Sequence, residues 1–238
     1  MRNLIKSFLP KSGRKHLNEP AVNLHCSEFE VNNWIISEFI LKKIIPVVGI
    51  HPFPLNELSL MVATVCRLNP THIFEWGTHI GKSARIFYET ADHFKINCQI
   101  HSIDLPDEIG HIEHPKANRG KLVRRIKQVI LHQGDGLEVS LKICKKIREK
   151  ITPLFFLDGD HSYSSVKREL TGIIKNVPNA HILIHDTFYQ SSESGYNVGP
   201  SQATQDVLSS IPTNYKIIAT NTGLPGMTLL YQFEKPDQ

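Results

Sequence analysis

Ile73-Phe74-Glu75-Trp76-Gly77-Thr78-His79-Ile80-Gly81-Lys82-Ser83 is the stretch that decides the fold. An apolar run ends in an acid, a Gly-x-x-x-Gly turn follows, and Ser83-Ala84-Arg85-Ile86-Phe87-Tyr88 opens a helix. This reads as strand, turn and helix, with a carboxylate at the carboxyl end of the strand. In an open α/β sheet that end faces the ligand crevice. The glycines let a ligand approach the backbone, and the helix start offers free N–H groups. Of two neighbouring motifs, one is excluded and the other disfavoured. A P-loop, G-x-x-x-x-G-K-[ST], needs its first glycine at position 76, which is Trp76. The dinucleotide fingerprint needs a middle glycine at 79, which is His79. Glu75 would repel a diphosphate and attract a cation such as an amino group.

Beyond this turn the chain alternates. β-rich apolar runs fall at 71–75, 98–103, 129–132, 153–157, 180–185, 215–219 and 227–232. Helical patterns lie between most of them, at 82–93, 117–126, 136–149, 162–175 and 200–210. Such alternation predicts βαβ units and a mainly parallel sheet. The last two runs are separated only by Thr220 to Gly226, too short for a crossover helix, so they pair as an antiparallel hairpin. Ahead of the sheet, 28–45 reads as a helix with Trp34, Ile35, Phe39, Leu41, Ile44 and Ile45 near one side. A second helix covers 56–68, and Pro52-Phe53-Pro54-Leu55 between them reads as a lid segment. Two units are expected: an N-terminal arm with a helical lid over 1–54, and the α/β domain over 55–238.

The 238 residues carry 27 Lys and Arg against 23 Asp and Glu, a net charge of +4. That excess is too small to call for nucleic acid. The densest basic cluster, Lys116 to Lys127, reads as the solvated face of a helix, with an anionic-substrate or membrane-facing patch as the alternative. Cys26, Cys66, Cys98 and Cys144 show no C-x-x-C spacing and read as free thiols. No run is long and apolar enough for a membrane span, and the basic start is broken by Lys6 and Pro10, so the expected location is cytoplasmic.

Acids recur at the strand ends. Asp104 closes the second run, where a carboxylate accepts hydrogen bonds from ribose hydroxyls or caps a helix. Asp135 caps the next helix or meets an adenine amino group. The fourth run leads into Asp158-Gly159-Asp160-His161-Ser162-Tyr163, more polar chemistry than capping needs, although Asp160 and Ser162 are placed to cap. The fifth ends in His185-Asp186-Thr187. His79 either touches a cofactor or is loop-exposed, and His111, Glu113 and His114 read as a solvated loop. The long segment from Phe188 to Pro200, with Tyr189, Tyr196 and Asn197, is expected to border a substrate pocket.

The pattern E-x-G-x-x-x-G-x-S from Glu75 to Ser83 resembles the first motif of class I S-adenosylmethionine-dependent methyltransferases. Seven strands ending in an antiparallel hairpin resemble that family's doubly wound, Rossmann-like sheet, over about residues 55 to 233. The string D-G-D-H-S-Y at 158–163 resembles a branch holding small-molecule O-methyltransferases, similar to cephalosporin-hydroxylase-like and macrolide-sugar methyltransferases. The resemblance implies transfer of a methyl group from S-adenosylmethionine to a hydroxyl of a sugar or natural product. It implies cofactor contacts from Glu75, Gly77, Thr78, Gly81, Ser83, Asp104, Asp135 and Asp158. Catalytic roles are expected for Asp158 and His161, either of which would serve as general base in the absence of a metal, with Asp186 as metal ligand or orienter. A divalent metal, Mg²⁺ or a softer ion, would fall to Asp158 and Asp186, with Thr187 a weak third ligand in place of the usual Asp or Asn. A homo-oligomer through the N-terminal helices is a further expectation. Two other readings are an NAD-dependent oxidoreductase and a methyltransferase-fold binding protein without catalysis.

Overall fold

The computed structural model describes residues 19–21, 26, 28–110, 115–189, 198–212 and 214–233. The parts of the expected arm at 1–18, 22–25 and 27 lie outside the described residues, as do His111, Glu113, His114, Tyr196 and Asn197. Every predicted strand is present: β1 His72–Trp76, β2 Gln99–Asp104, β3 Val129–Gln133, β4 Pro153–Leu157, β5 His181–His185, β6 Lys216–Ala219 and β7 Met227–Tyr231. They form one sheet in the order β3-β2-β1-β4-β5-β7-β6. Strands β1 to β5 pair in parallel, and β7 pairs antiparallel with both β5 and β6. The antiparallel hairpin is thus inserted with β7 against β5 and β6 at the edge.

Helices cover both faces, which is what a parallel sheet with continuous apolar strands requires. One face holds α1 (Asn33–Phe39, a π-helical turn Ile40–Ile44, then Ile45–Val48), α2 (Leu55–Leu68) and α3 (Lys82–Phe94). Their apolar side chains pack with Ile73, Ile100, Phe156, Leu183 and Leu229. The other face holds α4 (Gly136–Lys146), α5 (Tyr163–Asn176) and α6 (Gly199–Ser210), packed on Phe74, Ile103, Phe155, Ile182 and Leu230. Phe74, Phe87, Phe155 and Phe156 are fully buried. Each such side chain contributes about 1.5–3 kcal/mol of transfer free energy.

Three sequence expectations are corrected. In α1 the buried residues are Ile36, Phe39, Ile40, Ile44 and Val48, while Trp34 is 74% and Leu41 60% exposed. The π-turn accommodates repeated steps of four residues, so the stripe differs from the one read at 3.6 spacing. Residues 117–126 are not a helix. Gly120 sits at φ +64 and breaks the chain into successive turns after a short 3₁₀ turn, Lys116–Asn118. The basic cluster there presents no helix face; Lys116, Arg119 and Arg124 line an open pocket of about 420 Å³ with Asp107, Ala117 and Leu131. The supposed lid residue Phe53 is only 3% exposed and packs edge-on against His185, with ring centroids 5.0 Å apart. All four cysteines are free thiols. Among the described residues no helix is long and apolar enough to cross a membrane.

Candidate active site

Parallel strands carry their side chains to one end of the sheet, and the carboxyl ends of β1, β2, β4 and β5 bring the predicted acids together there. At the end of β1 the backbone turns tightly. Gly77 and Gly81 adopt φ +90 and +88, the left-handed region that suits glycine. Gly81 N donates to Thr78 O at 2.7 Å and closes the turn. A Cβ on Gly77 would stand 2.2 Å from the carbonyl oxygen of Asp158, so the turn lies directly against the end of β4. Trp76 points to the opposite face, where its indole N–H donates to Ser140 Oγ at 2.9 Å.

Glu75 is fully buried rather than open to the crevice. Ser83 Oγ donates to its Oε2 at 2.8 Å, and Ser102 Oγ donates to Oε1. Thr78 Oγ1 lies 2.6 Å from Ser102 Oγ, extending the chain of hydroxyls. Burial pushes the Glu75 carboxyl up to about 8, although both serine hydrogen bonds favour its charged form. This residue therefore ties β1, β2 and the start of α3 together. Direct attraction of a ligand amino group, expected from the sequence, is not what the geometry offers.

Asp104 joins β2 to the same turn. Its Oδ2 accepts from His79 N at 3.0 Å and its Oδ1 accepts from Leu105 N at 2.9 Å. A carboxylate has about four acceptor positions, so two remain for hydroxyl groups. Asp135 had two readings from sequence, and the capping one is observed. Its Oδ1 accepts from Glu138 N at 3.0 Å at the start of α4, and Arg168 pairs with the same carboxylate. Asp160 accepts from Ser162 N at 2.9 Å and also from the hydroxyls of Ser162 and Ser165, bracing the first turn of α5.

The remaining polar groups converge. His185 Nδ1 lies 2.8 Å from Asp158 Oδ1, and His161 Nε2 lies 3.5 Å from that same oxygen. The far nitrogen of each imidazole faces another carboxylate: His161 Nδ1 is 2.6 Å from Asp186 Oδ2, and His185 Nε2 is 3.0 Å from Glu57 Oε2. Asp186 reaches back to His161 from a left-handed backbone, φ +58, which Asp tolerates better than most residues. Burial disfavours the imidazolium forms, but Asp158 and its partner carboxylates outweigh it and push His161 and His185 up to about 10 each. Burial would likewise raise the Asp158 carboxyl, yet the positive charge on His185, with the His161 and His185 imidazole nitrogens close to it, holds it below the ordinary carboxylate range. Without a further cation both imidazoles are protonated at neutral pH, so the expected general-base role of His161 is not available to it in that state.

Thr187 is not part of this cluster. It is 3% exposed, its Oγ1 donates to Asn221 Oδ1 at 3.1 Å, and it lies 2.8 Å from Thr228 Oγ1. The antiparallel pairing with β7 holds it there, which corrects its reading as a weak metal ligand. Glu57 was missed from sequence. Its signal was an acid at helical spacing on the apolar side of α2, one turn before Met61 and beside Leu58.

Residues 74–187 match the family model described as a methyltransferase domain. The match spans just under half of the chain, and the seven-stranded sheet with its inserted antiparallel strand has the architecture of the class I methyltransferase fold. Solved structures share the fold. The O-methyltransferase TomG from Streptomyces achromogenes, in complex with S-adenosylmethionine, is 14% identical with a TM-score of 0.56, over 85% of this chain and 97% of that one. A putative O-methyltransferase from Klebsiella pneumoniae is 17% identical with a TM-score of 0.53, over 97% and 94%. The O-methyltransferase from Bacillus cereus, in complex with S-adenosylhomocysteine, is 15% identical with a TM-score of 0.54, over 83% and 90%. A comparison with curated proteins finds no match.

Proposed function

We propose that this chain transfers the methyl group of S-adenosylmethionine to a hydroxyl of a small molecule, of the sugar or natural-product kind. The observation that carries the reading is the seating of the Gly77 turn against the Asp158 carbonyl. It brings the β1 turn, which Asp104 holds through His79 N, directly next to the cluster of Asp158, His161, His185 and Asp186. Two solved structures that share the fold, TomG and the calicheamicin-pathway TDP-rhamnose 3′-O-methyltransferase CalS11, act on natural-product chemistry by their names.

The donor, when bound, supplies an electrophilic methyl group on a sulfonium. The residues fit it: Asp104 keeps acceptor positions for the ribose hydroxyls, and the glycines at 77 and 81 keep side chains out of the turn. Thr78 and Ser83 are buried in the hydroxyl chain around Glu75, so they shape the turn from within. Asp158 and His161, 15% and 29% exposed at their side chains, stand at the open side of the cluster and contact the acceptor hydroxyl. Asp186 and Glu57 hold the two imidazoles in place. The displacement needs oxygen, methyl and sulfur in line, and fixing that line is the main contribution of such a site. The acceptor's hydroxyl proton passes to the Asp158 carboxylate, and the positive charge of the neighbouring His161 imidazolium stabilises the oxyanion as it forms.

The test is turnover on a panel of sugar, catechol and polyhydroxylated acceptors, followed as formation of S-adenosylhomocysteine. Methylated product from any of them supports the reading. Hydride transfer to NAD with no methyl transfer would replace it with the oxidoreductase alternative.

A further inference from the structure

The cluster has a donor set of its own. Asp158, His161 and His185 each offer one ligand atom, and these atoms all lie within 4.8 Å of one another. Two of the spacings, 2.8 Å from His185 Nδ1 to Asp158 Oδ1 and 3.5 Å from His161 Nε2 to the same oxygen, bracket what one metal imposes. Ligands about 2.1 Å from a common ion stand roughly 3.0–3.4 Å apart.

A second observation points the same way. His185 Nδ1 is buried and has no aligned hydrogen bond, although a carboxylate oxygen is close to it. A buried polar atom normally finds a partner, and a close approach off the hydrogen-bond axis suits a metal–ligand pair better. The outer contacts complete the picture. Glu57 faces the other nitrogen of His185 and Asp186 faces the other nitrogen of His161, at 3.0 and 2.6 Å. A carboxylate behind each ligating histidine fixes the ring and raises its basicity. Gly226 N holds Glu57 in turn, at 2.8 Å.

We infer that Asp158 Oδ1, His161 Nε2 and His185 Nδ1 form a three-ligand centre for a first-row transition-metal dication, with Glu57 and Asp186 as its supporting partners. Two imidazoles and one carboxylate favour such an ion over Mg²⁺, which prefers oxygen ligands. This differs from the ligand set expected from sequence, which was Asp158 and Asp186 with Thr187 as a weak third. Three protein ligands leave positions for the acceptor oxygen, whose pKa a bound dication lowers. The inference rests on the proposed methyl-transfer reading only for what the open positions are used for.

The experiment takes the full chain, free of any affinity tag, stripped with a chelator. It is titrated with Co²⁺, Zn²⁺ and Mg²⁺ by calorimetry, with the visible Co²⁺ spectrum as a second readout. One Co²⁺ or Zn²⁺ binds per chain, at least about 100-fold more tightly than Mg²⁺. His185→Asp narrows that preference, and Glu57→Gln weakens Co²⁺ by about 10–100-fold. His161→Asn, at the half-exposed position, loses affinity by at least as much, and keeps the test decisive if the His185 variant does not fold. Absence of stoichiometric Co²⁺ and Zn²⁺ binding, or equal affinity for Mg²⁺, overturns the inference. Parallel titration with S-adenosylmethionine separates the two readings. Donor binding without Co²⁺ or Zn²⁺ binding defeats the metal centre alone, and metal binding without donor binding upholds the centre while defeating the methyl-transfer reading.

Discussion

His185 Nε2 lies 3.0 Å from Glu57 Oε2, linking the end of β5 to the first turn of α2 across 128 positions of sequence. Both side chains are nearly inaccessible, at 5% and 0%. The second Glu57 oxygen accepts from Gly226 N, so one carboxylate joins the N-terminal helices, the catalytic end of the sheet and the turn before β7. Glu57→Ala leaves two buried partners without an acceptor and is expected to cost about 3 kcal/mol or more. Glu57→Gln keeps an acceptor oxygen and costs less. Urea denaturation of the two variants checks the order.

Gly77 has no room for a side chain. Ala at this position meets the Asp158 carbonyl and must also hold φ +90. Gly77→Ala is expected to lose at least about 1 kcal/mol of stability and to weaken S-adenosylmethionine binding, because the turn can relieve the clash only by moving off β4. Thermal denaturation with and without the donor reads both effects.

Glu75 makes stability depend on pH with a definite sign. Its carboxyl rises from an ordinary 4.5 to about 8 on burial, so between those values the folded state binds more protons than the unfolded state. The contribution of this group is therefore fully present below about pH 4.5 and is lost as pH climbs through 8. Glu75→Gln removes this dependence. Relative to wild type, the variant gains more than about 1 kcal/mol between pH 5 and pH 8.5 in denaturant titrations. Parallel pH profiles for the two proteins would contradict a raised Glu75.

Asp158 separates binding from chemistry. Its side chain faces the histidines, while its backbone supports the Gly77 turn. Asp158→Ala is expected to bind S-adenosylmethionine within a few-fold of wild type and to lose turnover by about 100-fold or more. Single-turnover kinetics beside donor titration reads the split, and full activity in the variant would remove Asp158 from the proposed mechanism.

Much of the fold was legible because its signals are local. Buried runs such as Pro153-Leu154-Phe155-Phe156-Leu157 read as strands unaided, and the spacing from Thr220 to Gly226 forced the hairpin. What was not legible depended on distant partners. Trp34 and Leu41 looked like core residues until the π-turn of α1 set which stripe meets the sheet. Residues 117–126 carry helix formers, yet Gly120 and packing on Leu131 turn them into a pocket wall. In the site, Asp104, Asp158, His161 and Asp186 were read from strand ends, as the topology places them. Glu57 was not, since nothing near it in sequence announces His185. Thr187 was misassigned because strand alternation alone does not show that β7 captures its hydroxyl.

The most direct test of the central claim is calorimetric titration of the full chain with S-adenosylmethionine, with Asp104→Ala and NAD as comparisons. The account predicts one donor molecule bound per chain. In Asp104→Ala, loss of charge-assisted hydrogen bonds worth about 1.5–3 kcal/mol weakens binding by about 10–100-fold. It predicts no binding of NAD. Binding of NAD in place of S-adenosylmethionine, or donor affinity indifferent to Asp104, would contradict it.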